Sequence, residues 1–368
     1  MAGQKWTQAD IGLALSVGSI AAMLGQVPGG ALVDWAPSKR LVAFLSVLSI
    51  TLSALLFAFW PAWLPVMIAQ IVHGIASCTL GPAIAALTLM LFGQKGMSVR
   101  FGHNARYAAI GNGMAAAVLG LFGAYGSEKM VFVVTAVLTV PAMLAVLRLA
   151  EPQPSSDKPT AAHISLRPLL RSRGLIVFSA CVLLFHFANA AMLPLAGTVM
   201  TRAEGSSANL LIAGAIILPQ ILVAWVSPWI GRRAELNGRK MILLAGFAAL
   251  ALRGLLLATV TTPRAILAVQ VLEGVSAAVF ATMMPLVAAD LTRGTRRYNL
   301  CLGILGLAMG IGATLSTTLA GFVADLAGAP VAFLTLATIA LAATALLALF
   351  MPETRQTDQP DAVSRVSP

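Results

Sequence analysis

Seven residues with chemical potential stand inside long apolar runs. Gln70 and His73 lie in the run 64–91, Asn112 in 103–125, His186 and Asn189 in 174–200, Arg253 in 241–260 and Glu273 in 264–290. A polar or ionisable group at bilayer depth is costly unless paired or hydrated, so each is a candidate for a solute or proton pathway. Glu273 is nine residues into its run, about 14 Å at the rise of an α-helix. His73 stands nine residues into its own run. Carboxylate and imidazole groups can take up a proton on one side of a membrane and release it on the other, the imidazole near neutral pH. Plainer readings compete. Arg253 could neutralise Glu273 as a buried ion pair. Gln70 and His73 could be structural hydrogen-bonding groups, Asn189 could satisfy His186 from one turn away, and Asn112 beside Gly111 and Gly113 could serve packing.

Other chemistry is not supported. Cys78, Cys181 and Cys301 fall in separate apolar runs with no paired spacing, so neither a metal site nor a disulfide framework is expected. No HExxH or GxSxG pattern occurs, and neither enzymatic activity nor a cofactor is expected.

The elements that must position these residues are membrane helices. With 59% hydrophobic and only 10% charged residues, the chain departs from a soluble globule, in which about a quarter of residues are charged. Taking about 20 apolar residues as one span gives eleven helices. They run over 10–33, 41–60, 64–91, 103–125, 130–149, 174–200, 208–230, 241–260, 264–290, 299–326 and 330–350. The net charge of +11 sits in the short loops between them and not in one exposed patch, so no nucleic-acid partner is expected. Nineteen of the 24 Lys and Arg fall in alternate loops and the C-terminal tail. By the positive-inside rule that side is cytoplasmic, and the C-terminus with it.

The chain is also duplicated. Gly30, Asp34 and Lys39, with Arg40 after it, recur as Gly231, Glu235 and Lys240 at an offset of 201, where Pro37 and Ser38 stand opposite Gly238 and Arg239, and Gln70 to Gly74 recur as Gln270 to Gly274 at 200. Asn104 and Gly111 map onto Asn299 and Gly306 at 195. Such repetition is a mark of transporter folds. The expected organisation is a bundle over 1–149, a cytoplasmic linker over 150–173, a second bundle over 174–352 and a disordered tail over 353–368. Helix 174–200 has no counterpart in the first copy, because that helix would precede Met1. The expectation is therefore twelve helices minus the first, with Met1 internal to a longer reading frame or one helix lost.

A glycine, an acid, a turn residue and basic residues between consecutive spans, in each of two halves, resembles the major facilitator superfamily of secondary transporters over about 10–350. The stretch Asp290 to Asn299 with Gly306 to Gly312 is similar to members labelled sugar or drug efflux. The resemblance implies an all-α, two-bundle membrane fold and a permease working by alternating access. It also implies that helix 174–200 lines the central cavity. The proton-coupling arginine of the family is replaced here by Gln70, its glutamine by His73, and the antiporter Gly-Pro pair by Gly111 and Asn112. First-copy Pro37 and Ser38 also depart from the pattern.

Function is then expected to be proton-coupled movement of a small solute, export being the favoured direction, by a monomer in the plasma (inner) membrane. Glu273 and His73 are expected to face each other across a central cavity. Asp34 is expected to meet the start of helix 299–326 near Arg296 and Arg297, and Glu235 the start of 103–125 near Arg100 and Arg106, together holding the cytoplasmic side closed. The alternative is a sensor or assembly protein, or an inactive truncated transporter, that keeps the scaffold without transport.

Overall fold

The computed structural model describes residues 6–93, 96–150, 166–204 and 208–355. Its elements are α-helices: α1 (Gln8–Trp35), α2 (Lys39–Phe59), α3 (Trp63–Phe92), α4 (Met97–Tyr125), α5 (Glu128–Arg148), α6 (Arg167–Leu170), α7 (Arg173–Asn189), α8 (Met192–Glu204), α9 (Ala208–Asn237), α10 (Lys240–Thr259), α11 (Pro263–Leu291), α12 (Tyr298–Ala327) and α13 (Ala329–Phe350). Ten segments, with α7 and α8 taken as one, are long and apolar enough to cross a membrane. The 29-residue α4 packs among them as an eleventh.

Local chemistry sets the helix ends. Thr7 and Asp10 form a reciprocal capping box at α1, while Ser38, Ser127, Ser172 and Thr262 accept from first-turn amides of α2, α5, α7 and α11. Such caps satisfy amides that have no intrahelical partner. Between α9 and α10, Gly238 adopts φ +87°, a conformation that costs glycine little. Pro28, Pro82, Pro141, Pro219, Pro228 and Pro285 stay inside continuous helices.

Pro194 behaves differently, and the single helix expected over 174–200 is in fact two. The chain turns at 190–191, where Pro194 has no N–H to offer the Ala190 carbonyl. The interruption is held by a side chain of another helix. Ala191 N donates to Ser316 Oγ at 3.0 Å, and Ser316 is fully buried on α12.

The two halves meet along α1 against α12 and α4 against α9. A Cβ on Gly30 would collide with the backbone of Asn299 and Leu300, and one on Gly231 with Ser98 and Val99. One turn deeper, Gly303 lies against the backbone of Gln26 and Gly102 against that of Ser227. Adding 201 to Gly30 gives Gly231 and to Gln26 gives Ser227; subtracting it from Asn299 gives Ser98 and from Gly303 gives Gly102. The four contacts are thus two pairs related by a two-fold, with helix backbones brought together as small residues allow in lipid. This corrects the 195 offset for Asn104 and Gly111. The equivalent of Asn299 is Ser98, and the pair of asparagines is coincidental, since Asn104 bonds Thr88 within its own half.

All four crossings lie toward the end of the molecule that carries the basic loops. The largest buried cluster belongs mainly to α7 to α13, with smaller clusters among α1, α2, α3 and α5. On α12 the residues Gly312 and Ser316 pack on α7, whereas none of the described side chains of α4 from 110 to 125 is buried.

Of the expected linker 150–173, residues 151–165 lie outside the described residues. The tail is not free from Glu353 onward, as expected, because Glu353 accepts from the amides of Arg239, Lys240 and Arg355 at 2.8, 3.1 and 2.8 Å. It thereby caps α10, and Arg355 reaches the Leu236 carbonyl at 2.6 Å. Residues 356–368 lie outside the described residues.

Candidate functional site

Between the halves lies a cavity of about 860 Å³, walled by α1, α3, α4, α7, α11 and α12. Most of the wall is apolar, with Met23, Ile84, Phe101, Met284, Leu302 and Met309 prominent. Its polar side chains are Ser19, Gln26, Ser77, Asn104, His186 and Thr314. No Asp, Glu, Lys or Arg contributes to it.

His186 is the sequence-predicted residue on this wall. Its ring packs edge-on against Phe280 at 4.6 Å and near Phe185 at 5.4 Å, between centroids. Nδ1 lies 3.1 Å from the Val182 carbonyl oxygen. A carbonyl can only accept, so in the neutral imidazole Nδ1 carries the proton and Nε2 is a bare acceptor.

Asn189, Arg253 and Glu273 come together, but behind the wall and not on it. Arg253, 1% exposed, donates through Nη1 to Glu273 Oε2 at 2.5 Å and to Asn189 Oδ1 at 2.6 Å, and through Nη2 to Gln270 Oε1 at 3.0 Å. Asn189 Nδ2 closes the ring to Glu273 Oε1 at 3.4 Å. The network ties α7, α10 and α11 together, so the ion-pair reading of Arg253 describes the geometry.

The expectation that Glu273 and His73 face each other across the cavity does not hold. Neither lines it: Glu273 is turned to Arg253 and His73 is on an exposed face of α3. The two residues are equivalent by the repeat, since Gly74 lies against Gly18 and Ala21 as Gly274 lies against Pro219 and Leu222, and the face they share is turned away from the cavity. Gln70 packs against Gly18 of α1, and Asn112 is exposed on α4.

At the basic end, Asp34 accepts from Asn299 N at 3.0 Å, Asn299 Nδ2 at 2.7 Å and Leu300 N at 2.7 Å. The carboxylate caps α12 across the halves, in the place where a helix N-terminus favours an anion. Its partners are two amides and a carboxamide at the start of the helix, the place the expectation named. Arg296 and Arg297 line a second cavity of about 380 Å³ beside Leu89 and Tyr298. Glu235 makes no corresponding bond to the start of α4, although Gly231 repeats the backbone crossing. Arg100 lies instead over the Phe92 ring, 3.9 Å from its centroid, and Arg106 is exposed.

Basic residues of the repeated loops close each half upon itself. Lys39 Nζ donates to the carbonyls of Val33, Asp34 and Ala36, and Arg40 to that of Leu149 at 3.2 Å. Arg239 pairs with Asp290 at 3.0 Å and donates to Ala234 O, the same five-residue reach-back that Lys39 makes to Asp34 O. Although burial raises the pKa of Glu353, the amides of Arg239, Arg355 and Lys240 and the Arg239 charge outweigh it and hold the carboxyl below its ordinary value.

Sequence reasoning missed Gln26, Ser19, Ser77 and Thr314, which are unremarkable as residue types in helices. Gln270 and Asn299 were visible only as repeat landmarks, and their partners could not be read from spacing. The described residues contain no cluster of three or more His, Cys, Asp or Glu suited to a metal.

The Major Facilitator Superfamily profile matches residues 1–237 and again 180–366. An uncharacterized MFS-type transporter of Mycobacterium tuberculosis, present in strains H37Rv and CDC 1551, is 35% identical over 365 residues, spanning 96% of this chain and 87% of the relative. Among solved structures, the Escherichia coli fucose:proton symporter FucP superposes with a TM-score of 0.76 at 16% identity, over 95% of this chain and 92% of that one. The human organic anion transporter MFSD10 gives 0.72 at 17% identity, over 91% and 83%.

Proposed function

The chain belongs to the major facilitator superfamily, and from that premise we propose that it moves a small solute across the plasma (inner) membrane by alternating access. The observation that carries the reading is the central cavity, separated from the basic end by two symmetric pairs of glycine crossings and one capped helix. Under the positive-inside rule the basic end is cytoplasmic, and the C-terminus lies there. The cavity is then closed to the cytoplasm in this conformation. Opening it requires Asp34 to leave α12.

Protons are the coupling ion in this reading, and His186 is the group that carries them. Its support is position, because His186 is the one titratable side chain among the lining residues. The nearest charged groups on the packed helices, Glu273 of α11 and Arg253 of α10, are spent on each other. Glu273 therefore acts as a positioning residue, holding Asn189 and with it the broken end of α7. Proton entry against solute exit gives export, and the protein works as a monomer.

Reconstitution of the full chain in proteoliposomes tests this. A pH gradient should drive solute flux, and His186→Gln should reduce the gradient-driven flux at least about tenfold while leaving solute exchange measurable. Absence of flux under every imposed gradient would support the scaffold-without-transport alternative, and undiminished coupling in the variant would move the proton elsewhere.

A further inference from the structure

The hydrogen-bonding state of the cavity wall has a consistent polarity. Ser19, Ser77 and Thr314 each give their one hydroxyl proton to a carbonyl of their own helix, those of Leu15, Gly74 and Gly310, at 2.9, 2.7 and 2.9 Å. Toward the cavity these oxygens can only accept. Thr88 likewise donates to Ile84 O at 2.9 Å, so it must accept from Asn104, whose Nδ2 lies 2.8 Å away. That fixes the orientation of the Asn104 amide and leaves Oδ1 as a further acceptor. His186 Nδ1 is committed to Val182, and Nε2 makes no hydrogen bond with any described residue. Among the lining side chains only the amide groups of Gln26 and Asn104 retain a proton to give.

We infer that the solute of this cavity is an uncharged or weakly basic, largely apolar molecule whose polar end donates hydrogen bonds, with His186 Nε2 and Asn104 Oδ1 as its principal acceptors. This rests on the transporter reading and narrows its substrate class. A drug-sized molecule fits about 860 Å³. Apolar surfaces such as Phe101 and Met309 take its body, and the acceptor groups take an amine, amide N–H or phenol. While His186 is neutral, an anion finds no cation on the wall and faces lone pairs, so its desolvation is uncompensated. A sugar would bring many hydroxyls against a mostly apolar surface and leave several unpaired.

Three probes on one aromatic skeleton separate these features: N-phenyl-1-naphthylamine, neutral with one N–H; its N-methyl derivative, neutral without a donor; and 8-anilino-1-naphthalenesulfonate, a donor with an anionic group. Binding to the detergent-purified full chain is read as ligand-dependent thermal stabilisation, with L-fucose as a fourth arm. The neutral N–H compound should bind roughly 3- to 10-fold tighter than its N-methyl derivative, the span set by one net hydrogen bond. The sulfonate and the sugar should bind more weakly than it does. His186→Phe should abolish the preference for the N–H compound, and Asn104→Leu should reduce it. Because the ligand series is decisive in the unsubstituted protein, a misfolded variant does not rescue the inference. Equal binding of the N–H and N-methyl compounds, or tighter binding of the sulfonate or fucose, overturns it. Vesicle counterflow separates the two readings. Binding of the amine without its movement overturns transport and leaves the ligand class standing, whereas movement of anions or sugars with no amine binding overturns the class alone.

Discussion

Replacing Asp34 by Ala removes a side chain that links α1 of one half to the N-terminus of α12 in the other. Three hydrogen bonds disappear, two of them from the amides of Asn299 and Leu300. Bonds to a charged acceptor are individually strong, but the freed amides regain water when the basic end opens, so about 1 kcal/mol net for each is a reasonable share. Loss of the anion from a helix N-terminus adds roughly 0.3–1 kcal/mol. The sum is about 3–4 kcal/mol, which corresponds to a shift of roughly 150- to 1,000-fold toward the open basic end. Hydrogen exchange of the full chain in lipid nanodiscs, followed by mass spectrometry on a peptide covering 298–305, reads this directly, because the two amides are themselves the donors. Their protection should fall by two to three orders of magnitude in Asp34→Ala and by less in Asp34→Asn. Protection unchanged within about threefold would show that the glycine crossings alone hold the end shut and that the carboxylate is incidental.

Three further outcomes follow from the same geometry. Gly303→Ala should destabilise the protein by about 1–3 kcal/mol in thermal unfolding, because the new Cβ meets backbone of Gln26 that cannot step aside. Gly102→Ala should behave alike, and Gly120→Ala, with open space around it, should not. Arg253→Met should cost roughly 3–5 kcal/mol by leaving Glu273 without its cation, and Arg253→Met with Glu273→Gln should recover most of that loss; additive losses in the double-mutant cycle would deny the coupling. For Glu353 the folded carboxyl titrates below its ordinary value, so its contribution is present above the unfolded pKa near 4.5 and is lost as pH falls through the lower, folded value. The difference in thermal stability between the unsubstituted protein and Glu353→Gln should therefore be flat from neutral pH to about 4.5 and close below it. A difference that grows on acidification would contradict the cap.

What the sequence discloses here is periodic and what it conceals is azimuthal. Apolar runs of membrane length, the 201-residue repeat and the crowded basic loops are properties of spacing along the chain, and they lead to the helices, the two-fold and the basic end. The break in helix 174–200 is hidden in the sequence, because Pro194 resembles the six prolines that helices elsewhere absorb. Only the satisfaction of Ala191 by Ser316 from another helix distinguishes it. Glu273 and His73 hold equivalent places by the repeat, both turned from the cavity, and what differs is the neighbour: Glu273 meets Arg253, whereas the first copy has Ser53 at that position and His73 is exposed. The groups that do reach the cavity are largely serine, threonine and glutamine, which apolar helices carry for many reasons.

The repeat also separates what the halves must share from what they need not. Backbone approach is shared: each of the four glycine crossings has its two-fold mate, and no side chain larger than hydrogen fits at any of them without displacing backbone. Polar chemistry is not shared. Asp34 caps a helix while Glu235, one methylene longer, does not cap its counterpart. Gln270 accepts from a buried arginine, while at the position matching Arg253 by a shift of 200 the first copy has the hydroxyl of Ser53, which turns back to Ser49. A duplicated scaffold explains this division. The crossings set the backbone approach of both bundles and tolerate no change, whereas a polar side chain can serve on one side only.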